Sequence, residues 1–389
     1  MKKYLIISII AISGLSLIFF LTGFNNKSKT SCNYTATTDH LDSQANQLLN
    51  LICQAKEKYG LKAVMFGAWI DGKEKLVTAL GDSMTTVPAT PDMHFRTGGA
   101  SFTFLTTLLL QLVDDGKISL QDKLSKWFPA LPHADTITLD MLAHSTTGYA
   151  DYVTTPGFIT DSLQNVFREW TPEELIEIGV KQPLLFEPGT NWDYSHTNYV
   201  ILAAVIEKIT GTSLPELIKT KIFDKLNLKN TEFPLTPDIQ SPVLHTFTSE
   251  RGVYEDSTYW NPSWVGHSAR ITSNLTDMGI WLEAFGTNKF ISTQSFQNMI
   301  APTLVGIGGN KPDLYYGLGV IIANSWIVQN PSFAGFTGII AYLPARKIAI
   351  YITTTNDDIK NRKDEHYSKL IFKDIVKALV PEHQIPERF

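Results

Sequence analysis

Between Arg96 and Asp114 this chain carries no charged residue. Phe102, Phe104, Leu105, Leu108, Leu109, Leu110, Leu112 and Val113 cover nearly every side of the helix this stretch predicts, leaving a mild Thr103/Thr107/Gln111 stripe. A helix that is apolar all round is a buried one, and the run is shorter than the roughly 20 residues needed to span a bilayer. Gly98-Gly99 before it and Asp114-Asp115-Gly116 after it punctuate a core helix. Such an element must be surrounded by other structure, so Phe95–Gly116 reads as the central helix of a large globular domain. A chain of 389 residues with 43% hydrophobic content has enough material to bury it.

The amino terminus has a different character. Lys2-Lys3 precede Tyr4–Phe24, an uncharged and strongly apolar run, and Asn25–Thr30 turn abruptly polar. This is an export signal or a membrane anchor. The run exceeds the roughly 7–15 apolar residues of a cleaved signal and offers no small-x-small cleavage pair, which favours an uncleaved anchor. Lys2 and Lys3 then place the body of the chain outside the cytoplasm. Cys32 and Cys53 either pair in an oxidising compartment or remain two free thiols; without C-x-x-C spacing they make no metal site. A net charge of −5 and the absence of a basic cluster exclude nucleic acid as a partner.

Along the folded part, Leu41, Ala45, Leu48, Leu49 and Ile52 space an amphipathic helix ending near Tyr59-Gly60. Ala63–Ile70 and Lys75–Leu80 flank Asp71-Gly72, a strong hairpin signal. A short helix is expected between Leu120 and Pro129, and another over Pro215–Phe223. Residues 230–265 read as an irregular insertion over a pocket. Strand patterns follow around Ser325–Gln329, Gly335–Tyr342 and Ile348–Thr355, and Leu370, Ile371, Asp374, Ile375, Ala378 and Leu379 space a last helix.

Several ordered blocks resemble one family. Phe95-Arg96-Thr97-Gly98 with Thr103-Phe104, Ile137–Tyr152 (ITLDMLAHSTTGYADY), Leu184–Gly211, Ser268–Trp281 and Tyr316-Gly317-Leu318-Gly319 look like segments of the serine β-lactamase and penicillin-binding-protein superfamily, which includes class C β-lactamases and D-Ala-D-Ala carboxypeptidases. The resemblance runs over roughly residues 45–360. It implies an α+β fold of the β-lactamase/transpeptidase kind: an antiparallel sheet flanked by terminal helices, plus an all-α region. The expected division is a signal or anchor with its linker over 1–30 and a β-lactamase-related domain over 40–385. No cofactor or metal is expected.

In that family a Ser hydroxyl attacks an amide or ester, a Lys and a Tyr move its proton, and backbone N–H groups hold the developing charge. In this chain the Ser position of the S-x-x-K motif is Gly99 and the Lys position is Phe102. Tyr194-Ser195-His196 stands on the Y-x-N motif, keeping the Tyr and exchanging Asn for His. Counting back without gaps from Gly335-Phe336 puts Gln329-Asn330-Pro331 on the H-x-G or K-x-G strand, where Pro331 cannot donate an N–H. The resemblance therefore predicts a ligand pocket at Gly99, Phe102, Tyr194, His196 and Gln329, with no confident catalytic residue.

Three readings follow. The chain is a tethered or secreted extracytoplasmic pseudoenzyme that binds a peptide, a peptidoglycan-derived fragment or a protein partner. Alternatively it is an active hydrolase (carboxypeptidase, esterase or β-lactamase-like) using a substitute nucleophile. Ser101 would point about 200° around the helix from position 99, and Ser195 stands beside Tyr194 and His196. The third is a structural module whose pocket Phe102 has closed. His144, where the family pattern has Ser and His exchanged, reads as a structural histidine at a helix end, with a catalytic role as the sharper alternative.

Overall fold

The structure is a computed structural model that describes residues 32–357 and 365–389. The expected signal or anchor over 1–30 lies outside them. Among the described residues no helix is long and apolar enough to cross a membrane.

Helix α1 (Ser43–Tyr59) starts where the Asp42 side chain accepts from the Ala45 N–H at 2.9 Å, and it stops at Gly60, whose φ of 58° is left-handed. Strand β1 (Tyr34–Ala36) precedes it, and β2 (Leu61–Ile70) and β3 (Lys73–Met84) follow as the hairpin. Asp71 and Gly72 both take positive φ, the geometry of the turn that matches strand twist. After the central helix, α2 (Ser101–Asp114), and a mostly helical region containing α3 (His196–Thr210) and α4 (Leu275–Gly286), the sheet resumes. Its strands are β4 (Leu314–Tyr316), β5 (Ile321–Ala323), β6 (Trp326–Gln329), β7 (Phe336–Leu343) and β8 (Ile348–Asn356), and α5 (Tyr367–Leu379) comes last. The antiparallel order is β1-β3-β2-β8-β7-β6-β5-β4, so strands from before and after the helical region meet where β2 pairs with β8.

Period-two alternation divides the sheet between two cores. Val64, Phe66 and Ala68 join Leu48, Ile339, Ile350 and Phe372 beneath α1 and α5. Ala63, Met65 and Trp69 join Tyr351, Phe95, Phe104 and Trp281 on the other side. There α2 lies buried from Ser101 through Leu110. The helix begins later than the sequence suggested: Phe95–Arg96 is a short strand paired with Thr272–Ser273, and Gly98–Ala100 is a 3-10 turn. The threonine stripe is no solvent face either. Thr103, Thr106 and Thr107 donate back to the carbonyls of Ala100, Phe102 and Thr103, and the Trp281 indole N–H donates to Thr103 Oγ1 at 2.9 Å.

Two further expectations change. The segment after Leu120 forms only the 3-10 turn Leu124–Lys126, and Pro215–Phe223 divides into the helix Leu214–Ile218 and a π-turn over Lys219–Phe223. Residues 230–265 are irregular apart from the pair Phe247–Thr248 with Glu255–Asp256 and a turn at Pro262–Val265. Two guanidiniums pin this insertion, with Arg96 donating to Pro237 O and Arg270 to Leu235 O, each at 2.6 Å.

Cys32 and Cys53 are bonded, with Cα atoms 5.9 Å apart. Replacing both by Ser is expected to lower stability by about 3 kcal/mol, the loop-closure contribution of a bridge of this span, read as a lower denaturation midpoint.

Candidate functional site

The site is built around the start of α2. Gly98 takes φ 51°, and a Cβ there would stand 2.8 Å from Pro331 Cβ, so the backbone can approach the sheet edge only as glycine. Gly99 is different. A Cβ on it would meet Gln329 Oε1 at 3.5 Å and Phe102 Cε2 at 3.8 Å, ordinary contacts. The position has room for a side chain and carries none.

One turn on, Phe102 is buried and stacks on Tyr199 with ring centres 4.0 Å apart. Its ring also lies 6.3 Å from Tyr194 and 6.5 Å from His196. Tyr199 in turn donates to Ala143 O at 2.9 Å and shares a 2.6 Å hydrogen bond with Tyr316. Where the resemblance expects an ammonium there is thus an aromatic layer.

The loop before α3 brings in Tyr194 and His196. Burial pushes the Tyr194 hydroxyl well above the usual phenol range, and the neighbouring Tyr316, Asp151 and Tyr152 act in the same direction. With a Phe at position 102 no adjacent ammonium opposes that shift, so Tyr194 remains a neutral phenol rather than a base. His196 sets its Nδ1 2.9 Å from Asp151 Oδ2, while Asp151 Oδ1 accepts from the Val153 N–H at 3.1 Å. The imidazole Nε2 has no partner among the described residues and is not among the sealed atoms, so it opens on the cleft. Gln329, at the end of β6 opposite Ile340, donates its Nε2 to Gly319 O at 2.6 Å, which leaves Oε1 turned toward Gly99.

Gly99, Phe102, Tyr194, His196 and Gln329 line a single cavity of about 470 Å³, together with Asn330 and Pro331. Pro331 lies between β6 and the pair Ser332–Phe333, outside any strand. Trp264 and Phe333, stacked 5.2 Å apart, form one wall, and Trp192 lies 5.6 Å from Tyr316 on another side. Charge enters the described lining as Arg96, Lys369 and Arg388, with no side-chain carboxylate in the lining itself, and Arg388 is paired with Asp313 beside it. Burial and the neighbouring Arg270 bring the Arg96 guanidinium down to about 10, so it stays cationic at neutral pH. Among the described residues no cluster could hold a metal ion.

The substitute nucleophiles and His144 lie elsewhere. Ser101 Oγ shares a 3.0 Å hydrogen bond with Thr97 and is buried. Ser195 is wholly buried, its Oγ sealed and without a partner. Neither lines the cavity. His144 closes the helix Leu139–His144 with Nδ1 3.2 Å from Asp140, also away from the cavity.

Sequence reasoning missed Asp151, Trp264 and Phe333. Asp151 stands in a quoted block, but 45 positions separate it from His196 and no spacing rule links them. Trp264 belongs to the insertion, whose course no periodicity reveals.

Among known proteins, residues 48–372 match the family described as Beta-lactamase. A penicillin-binding protein of Bacillus subtilis (strain 168) is 25% identical over 306 residues, which cover 74% of this chain and 65% of that protein, just under two thirds of its length. The D-amino acid amidase of Ochrobactrum anthropi SV3, solved with L-phenylalanine amide, superposes with a TM-score of 0.75 at 19% identity, over 88% of this chain and 99% of the amidase. A D-stereospecific amidohydrolase from Streptomyces sp. gives 0.73 at 22%, over 84% and 96%. At these identities the two structures share the fold.

Proposed function

This chain belongs to the β-lactamase family, and from that premise we propose that it is a catalytically inactive member which binds a peptide or cell-wall fragment in the family's cleft without being acylated. One observation carries the reading: at Gly99, where the resemblance expects the attacking oxygen, there is space but no side chain. The buried Phe102 ring in place of the amine supports it. Of the two serines weighed for the hydrolase alternative, Ser101 and Ser195, both hydroxyls are closed off from the cavity; the serine that does line it, Ser332, stands in the short strand Ser332–Phe333 and not at the start of α2.

A peptide-type ligand is supported by the open cavity, its aromatic walls and the Arg96 and Lys369 cations of its lining, which suit a carboxylate-bearing chain, whereas Arg388 is already paired with Asp313. The relatives named for penicillin binding and for D-amino acid amides point to the same kind of ligand. A protein partner inserting a terminal segment would use the same features. The Cys32–Cys53 bond supports an extracytoplasmic location, tethered or secreted through residues 1–30.

Thermal denaturation with D-alanyl-D-alanine peptides or muropeptides tests the binding half. A dose-dependent rise in melting temperature is expected, reaching about 2.7 kcal/mol of added stability at a hundredfold excess over Kd. No shift at millimolar ligand would leave the cleft a structural relic.

A further inference from the structure

The floor of the cleft has exchanged hydrogen-bond donors for acceptors, and this specifies what a ligand must present there. An ionised carboxylate only accepts, so the 2.9 Å contact with Asp151 fixes the His196 proton on Nδ1. In the neutral ring the lone pair then sits on Nε2, which opens on the cavity. Gln329 is fixed by the same logic: Gly319 O must receive an N–H, so the amide nitrogen faces away and Oε1 stands 3.5 Å from where a Gly99 Cβ would be.

Two other positions lose donors. Phe102 offers a ring where an ammonium is expected, and Pro331 removes a backbone N–H from the edge beside Gly98. Asp151 is in turn held by the Val153 N–H, and the His196 ring is packed edge-on to Tyr194 at 5.0 Å, so the imidazole is held on two sides. The Tyr194 hydroxyl can rotate to donate or accept and does not alter the balance.

Resting on the peptide-binding reading above, we propose that His196 Nε2 is the specificity-determining acceptor of the cleft and receives an N–H of the ligand. Asp151 is its positioning residue. A ligand with a lone pair at that point meets an opposed lone pair.

Two measurements test this. The first needs no ligand: 15N NMR of the histidine side chains at alkaline pH, with the His196 signal assigned by its loss in His196→Asn. A proton on Nδ1 and none on Nε2 is expected; a proton on Nε2 overturns the inference. The second compares an N-acyl-D-alanyl-D-alanine peptide with its ester analogue ending in D-lactate, in which oxygen replaces the N–H. The amide should bind at least about tenfold more tightly, the effect of one unmade buried hydrogen bond. In Asp151→Asn, whose amide can donate to Nδ1 and move the proton to Nε2, the preference should collapse or reverse. Equal binding of the two compounds to the native protein, or an unchanged preference in both Asp151→Asn and His196→Asn, overturns the inference while leaving the peptide-binding reading in place. If neither compound binds although Nδ1 carries the proton, that reading fails and this inference fails with it.

Discussion

Phe102→Lys is expected to destabilise the fold by about 3–5 kcal/mol, the usual range for emptying a buried aromatic site, instead of restoring a catalytic amine. The ring is 1% exposed and stacks on Tyr199, whose hydroxyl is already committed to Ala143 and Tyr316. A Lys in its place would forfeit those contacts and bring an ammonium into a wall without a side-chain carboxylate among the described lining residues. Urea denaturation reads the effect as a lower midpoint with unchanged slope. A variant as stable as the native chain would mean that the pocket still holds the partners an amine needs, which would weaken the inactive reading.

Gly99→Ser is expected to fold normally and to remain inert. The added Cβ meets only ordinary contacts, so stability should change by less than about 1 kcal/mol. The hydroxyl it brings lacks both proton partners that the resemblance expects. Tyr194 is held as a neutral phenol and position 102 is a ring, which leaves the His196 Nε2 lone pair as the one base identified in the cleft. Removing a nucleophile or its base from a serine hydrolase costs on the order of 10⁶ in rate, and because such groups act as a unit, restoring one of them recovers little. Hydrolysis of a penicillin or of a D-alanyl ester by Gly99→Ser should therefore stay at the uncatalysed rate. Turnover well above it would show that His196 Nε2 or another group in the cleft moves the proton.

The fold was legible because its signals are local or repeat along the chain. Asp71-Gly72 marks its own hairpin, Gly60 ends its own helix, and an uncharged run from Phe102 to Val113 leaves burial as its one solution. Element ends were legible only where a cap marks them. Phe95–Arg96 read as helix because its strand partner, Thr272–Ser273, lies about 180 positions away and leaves no trace nearby. The altered motifs were legible because a missing oxygen can be seen in sequence. What the altered residues do instead was not. The Asp151 contact that orients His196 and the Trp264–Phe333 wall exist only once the insertion and the helical region have packed.

The central claim is the proposal that this cleft binds without being acylated, and intact-mass spectrometry tests it directly. The purified chain is incubated with a fluorescent penicillin and, separately, with a fluorophosphonate. An unchanged mass and no labelled peptide after digestion are the expected result; a stoichiometric mass increase mapping to Ser101, Ser195 or any other hydroxyl would contradict it.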